Sequence, residues 1–183
     1  GETYWHRVHQ LPGVSVCPEH SVALEVYQRN VSELINKQEY IALDNVVEDI
    51  LIPKVVIADE KYARFSRISA WLLSNPHLGK AIPDLQQKYK FQLFKRGLCN
   101  YSGRILSTEK LAIEFEAYFG VDFLTTLLPD LTSYKVDWLL GLIRGHGERA
   151  RHPLLHILLM MFLEIHPQDL FSMDIPNPFG AAP

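Results

Sequence analysis

The stretch "HPLLHILLMMFLEI", His152 to Ile165, is apolar at almost every position. Between Pro153 and Glu164 the only polar side chain is that of His156. A helix on a protein surface keeps one polar face, whereas a helix that is apolar all round has to be enclosed. The stretch is also shorter than the ~20 residues that cross a bilayer. It therefore predicts a central core helix with other helices packed around it.

The flanking sequence supplies those partners. Ala58 to Ser74 places Tyr62, Phe65, Ile68 or Ser69, and Leu72 on one stripe. Pro83 suits a first helical turn, and Leu85, Tyr89, Gln92 or Leu93, and Arg96 follow at helical steps up to Gly97. "LCNYSGRILS" reads as a short extended excursion with a turn at Ser102-Gly103. Ser107 or Thr108 then caps a helix carrying Leu111, Phe115, Tyr118 and Phe119, which Gly120 ends. Val121 to Leu128 and Val136 to Ile143 give two more short helices.

The front of the chain has a different pattern. Tyr4, Trp5, Val8 and Leu11 fall at helical spacing until Pro12-Gly13, and "VSVCPEH" reads as a short strand. The expected fold is mainly α, about six helices in a bundle-like core. A small zinc-ribbon-like, β-containing module precedes it. The expected division is a knuckle and mixed module over 1–52, a helical domain over 53–172, and a tail or linker over 173–183.

Composition limits the function. The chain has 183 residues, 48% of them apolar, enough for a real core. Its net charge of −3 argues against a protein that coats nucleic acid indiscriminately. Two cysteines, Cys17 and Cys99, make no disulfide framework, which points to a reducing, cytoplasmic location. The start "GETYWHRVHQ" does not read as a signal peptide.

Cys17 and His20 stand at C-x-x-H spacing, where a thiolate and an imidazole can share one metal ion. A structural zinc site needs four ligands. His6 and His9 supply a second pair in one arrangement, and an upstream pair does so in another. In a third, no metal binds and Cys17 is a small buried hydrophobe.

Two basic clusters stand out. "IRGHGERARHP" holds Arg144, Arg149 and Arg151 just before a helix start. It reads as a solvated loop or as a phosphate-contacting edge. Lys88, Lys90, Lys95, Arg96 and Arg104 form a second strip across a helix, a turn and a helix. The apolar run of the second helix suits packing better than base reading, which leaves Arg104 at the surface. No nucleophile elbow, phosphate loop or paired carboxylates appear, so an enzyme is not expected.

Three blocks together go beyond spacing. "GETYWHRVHQLPGVSVCPEHSVAL" resembles the second half of the zinc motif of the TniQ/TnsD family, the target-site selectors of bacterial transposons. Gly1, Glu2, Trp5, Arg7, Leu11, Pro12, Cys17, Pro18, His20 and Leu24 stand at the family's places. "YKFQLFKRGLCNYSGRILSTEKLAIEFEAYFGVDFL" and "WLLGLIRGHGERARHPLLHILLMMFL" resemble its two later blocks, most closely in the TnsD branch.

The resemblance implies a structural zinc ion on Cys17 and His20, completed by a C-x-x-C upstream of Gly1 and incomplete without it. It implies a further C-terminal region beyond this chain. The implied function is binding double-stranded DNA at an attachment site and recruiting the transposon's AAA+ ATPase regulator, among other transposition proteins, with no membrane partner and a nucleoid location. On that reading Arg144, Arg149, Arg151, Lys95, Arg96 and Arg104 are the DNA-binding candidates. The alternative is a TniQ-like protein–protein adaptor that reads no DNA directly.

Overall fold

The structure is a computed structural model and describes residues 5–26, 59–76, 82–128, 137–144 and 152–175. Seven α-helices lie among these residues: α1 Glu60–Ser74, α2 Ile82–Lys95, α3 Thr108–Phe119, α4 Val121–Leu127, α5 Asp137–Arg144, α6 Pro153–Phe162 and α7 Pro167–Ser172. The protein is mainly helical, as the pattern predicts. The chain divides into two compact units, Gly1–Ala70 and Trp71–Pro183.

The first unit begins with a 3₁₀ turn, Arg7–Gln10, where the sequence predicts a longer helix. The strand expected through "VSVCPEH" is reduced to one antiparallel bridge, Val16 with Ala23. No strand occurs among the described residues. Of the knuckle and mixed module expected over 1–52, residues 27–52 lie outside them. At the start of α1 the Asp59 carboxylate accepts the Lys61 N–H at 2.7 Å, which satisfies a donor that has no helical partner. The buried face of α1 is Ala63, Phe65, Ser66, Ile68 and Ser69. Phe65, Ile68 and Ser69 are the centre of the predicted stripe, whose ends, Tyr62 and Leu72, are half-buried. Ser69 tolerates burial because its hydroxyl donates to the Phe65 carbonyl at 2.9 Å.

The second unit is built around α6. α2 packs against α5, α3 against α4 and α6, and α5 against α6. Seven α6 residues are buried: Leu154, Ile157, Leu158, Leu159, Met160, Met161 and Phe162. Burying one such side chain contributes roughly 1.5–3 kcal/mol, so among the described helices α6, with seven, buries the most apolar side chains. Aromatic rings fill the space around it. Phe115 of α3 meets Phe162 at 5.2 Å between centroids and Trp138 of α5 at 5.5 Å.

Both later helices start on the same device. His152 precedes Pro153, and its Nδ1 accepts the Leu154 N–H at 3.2 Å. His166 precedes Pro167 and accepts the Gln168 N–H at 3.2 Å. Proline at the first helical position loses no hydrogen bond, and the imidazole caps the next donor.

The predicted core helix, His152 to Ile165, ends earlier than expected, at Phe162. Glu164 adopts φ +56°, and the N–H groups of Glu164 and Ile165 return to the carbonyls of Met161 and Met160. This is a Schellman stop made without glycine, so no residue type announced it. The six-residue α7 follows, too short for periodicity to reveal. Trp71 lies against it, edge-on to His166 at 5.6 Å and stacked with Phe171 at 6.2 Å.

Candidate functional site

The cationic strip lies in the second unit. Residues 85–108 contain Lys88, Lys90, Lys95, Arg96 and Arg104 and no Asp or Glu. In a chain with 21 acids and 18 bases, such a run is a local excess of positive charge. The structure separates its members. Lys88 is buried, 1% exposed, and its Nζ donates to the carbonyls of Leu170 at 2.9 Å and Phe171 at 3.2 Å. Asp84 lies 3.6 Å away on the preceding turn. Lys88 therefore closes the C-terminal end of α7 and is not open to a ligand. Arg96 is paired with Glu164 at 2.7 Å and lies over the Phe162 ring at 5.5 Å.

Lys90, Lys95 and Arg104 form no ion pair with a described residue. All three surround the connection between α2 and α3. Gly97, φ +67°, stops α2 just past its end, with the Gly97 and Leu98 N–H groups returning to Phe94 and Leu93. A tight hairpin follows. Leu106 N–H pairs with the Leu98 carbonyl and Asn100 N–H with the Arg104 carbonyl, around the bridge Cys99–Ile105.

Asn100 locks the tip. Its Oδ1 accepts from the Ser102 N–H at 3.1 Å, the Ser102 hydroxyl at 2.8 Å and the Arg104 N–H at 2.9 Å. Gly103, φ +73°, brings the backbone so close to α2 that an added Cβ would meet Lys90 Cδ at 2.9 Å. Tyr101 is 62% exposed at the tip, and its ring meets Phe94 edge-on at 6.1 Å. Beneath the hairpin, burial pushes the Cys99 thiol pKa up and the nearby Lys90 charge pulls it down. The turn was legible in the sequence. Asn100 and Tyr101 were not singled out, although Asn two residues before Ser-Gly is the usual signal of a side-chain-closed turn.

The second helix of the strip, α3, turns Leu111, Phe115 and Phe119 inward and leaves Thr108, Glu109 and Lys110 exposed. Its N-cap is Ser107, whose Oγ accepts the Lys110 N–H at 3.1 Å. α3 is thus a packing helix, with Arg104 exposed just before it. Arg144 is exposed at the end of α5. Arg149 and Arg151 lie outside the described residues.

In the core, the Tyr89 hydroxyl lies 3.0 Å from His156 Nδ1. Burial raises the Tyr89 pKa far above its ordinary value and lowers that of His156. Both are therefore neutral near pH 7, so the hydroxyl donates and Nδ1 accepts. This is a satisfied core pair and explains the one polar residue on α6.

In the first unit, Cys17 is buried and His20 exposed, with Sγ and Nδ1 3.3 Å apart. Two ligands on one tetrahedral zinc ion lie about 3.5 Å apart, given its bond lengths. The pair therefore fits two corners of such a site. The turn between them is held by Cys17 N–H to Val22 and Ser21 N–H to Cys17, both 2.9 Å, with Ser21 at φ +55°. His6 and His9 lie with ring centroids 4.9 Å apart. The His9 pKa is lowered by burial first and then by the His6 charge, with Glu19 opposing and His20 adding to the effect. Among the described residues no three His, Cys, Asp or Glu side chains gather where one ion could be held. The local four-ligand arrangement with His6 and His9 is therefore not assembled.

Fold and site together define a mainly helical protein with a hydrogen-bonded hairpin flanked by Lys90, Lys95 and Arg104. Residues 65–183 match the family model of the Tn7-like transposition protein D, TnsD, and the chain belongs to that family. The match covers the whole of the second unit and includes the hairpin. No significant match was found among curated proteins or solved structures. No helix among the described residues is long and apolar enough to cross a membrane.

Proposed function

We propose that this protein is a target-site selector: it binds double-stranded DNA at the attachment site and recruits the transposon's AAA+ ATPase regulator, without cutting DNA itself. The observation that carries the reading is the acid-free cationic run over 85–108 inside the family-matched segment. Phosphate contacts from Lys and Arg supply most sequence-independent affinity for DNA. Arg144, Arg149 and Arg151 belong to the same reading as a second phosphate edge.

Salt-dependent binding to duplex DNA tests it. Replacing Arg144, Arg149 and Arg151 together by Ala is expected to weaken binding to every sequence and to reduce the log–log salt slope by up to about three. A slope equal to the parent's removes that loop from the interface. Absence of duplex binding by the parent favours the adaptor reading. That second reading draws support from the net charge of −3 and from exposed Leu106, Ile113 and Val121. Co-purification with the ATPase regulator alone would then be the expected result.

Cys17 and His20 are proposed as half of a structural zinc site. With all four positions filled by protein, zinc would supply folding free energy and no chemistry.

A further inference from the structure

We infer that the hairpin between α2 and α3 is the grip this protein places on duplex DNA, with Arg104, Lys90 and Lys95 on phosphates and the Tyr101 ring against the sugar edge. The inference rests on the DNA-binding reading above and adds which side chains do the gripping.

Of the five cations in the acid-free run, Lys88 is spent on two carbonyls and Asp84, and Arg96 on Glu164. The three that remain flank one structural feature. Lys90 lies beneath Gly103, Lys95 follows Phe94 on the last turn of α2, and Arg104 is on the hairpin itself. Lys95 also has its ammonium 4.7 Å above the Phe91 ring.

Tyr101 joins this group through its contact with Phe94. Three bonds to Asn100 Oδ1 and the bridge at Cys99–Ile105 fix the tip before any ligand arrives. A preformed tip loses little conformational freedom on binding. A run of cations without acids between them in sequence, beside an exposed aromatic ring, complements a regular polyanion whose sugars lie exposed between the phosphates. A protein-docking face is instead depleted of lysine at its centre.

The test is a titration of the whole chain against a fluorescent, random-sequence 30-base-pair duplex at several salt concentrations. Arg104→Ala and Lys95→Ala are each expected to lower the log–log salt slope by about one. Tyr101→Ala should weaken binding on the order of threefold to tenfold, the size of one lost neutral contact, with the slope unchanged, because no charge is lost. Arg104→Lys keeps the charge and should keep the slope. Thermal melting should match the parent in every case, since these side chains are exposed.

A variant carrying all three alanines that binds like the parent overturns the inference and leaves the DNA reading on the other cations. Slope lost in Arg104→Lys as well overturns the phosphate role. Parental duplex binding together with lost association to the ATPase regulator would make the hairpin a protein-docking tip and overturn it too. A parent that binds no duplex fails both readings at once, so the two failures are distinguishable.

Discussion

The ammonium of Lys88 sits among oxygens: the carbonyls of Leu170 and Phe171 and the carboxylate of Asp84. Lys88→Met keeps the length of the side chain and removes its charge. It leaves two carbonyls without their donor and the Asp84 carboxylate without its ion-pair partner. The expected loss is about 2–4 kcal/mol, read as a lower urea midpoint. A loss under about half a kcal/mol would mean that water replaces the ammonium freely, and that the α7 end is not closed by this side chain. His156 brings pH into the core. Its folded pKa lies below the ordinary 6.5 because burial disfavours the charged ring. Between those two values the unfolded chain takes up a proton that the folded chain refuses. Stability is therefore expected to be flat above about pH 6.5 and to fall below it, by at most about 1.4 kcal/mol per pH unit from this group. Urea midpoints at pH 7.5 and 5.5 measure the drop. In His156→Gln the drop should be smaller, and an equal drop would assign it to other groups.

α6 is the element on which the second unit depends. Leu158 is fully buried on it. Leu158→Ala is expected to cost about 2–5 kcal/mol, as a transfer loss plus a cavity that the surrounding rings fill only in part. A cost below about half a kcal/mol would place α6 at the periphery. The hairpin obeys a different logic. It has little apolar burial of its own beyond Leu98, Cys99 and Ile105, and its shape comes from Asn100, Gly97 and Gly103. These are turn residues whose conformations are local, so the sequence reading placed the turn correctly. The stop at Glu164 was not legible, because a non-glycine residue in the left-handed region is held there by its surroundings. Here that includes the Arg96–Glu164 pair, which joins residues far apart in the chain.

For the whole molecule, membership of the TnsD family sets the biological context as transposition. The metal question belongs to the first unit. If Cys17 and His20 hold zinc, elemental analysis of the purified protein should find the ion, and Cys17→Ser and His20→Ala should each lose it. Zinc retained undiminished in both variants would remove the pair from the ligand set. The sequence alone determined the helical class, the central place of Leu154 to Leu163, the Ser107 cap, the stops at Gly97 and Gly120, and the family resemblance of the two later blocks. Those follow from local periodicity and turn chemistry, which need only neighbours along the chain. The strand expected through "VSVCPEH" failed on the same ground. A short alternating run becomes a strand only when a partner pairs with it, and among the described residues Val16 and Ala23 form a lone bridge. Only the tertiary structure decided which cations are free to meet a ligand. Lys88 and Lys90 are alike in sequence and two positions apart. On a helix that separation turns them about 200° from each other, so one reaches the end of α7 and the other the underside of the hairpin. Charge is a property of the residue. Its availability depends on what the fold brings within hydrogen-bonding distance, and contacts between residues 82 positions apart cannot be read from either one alone.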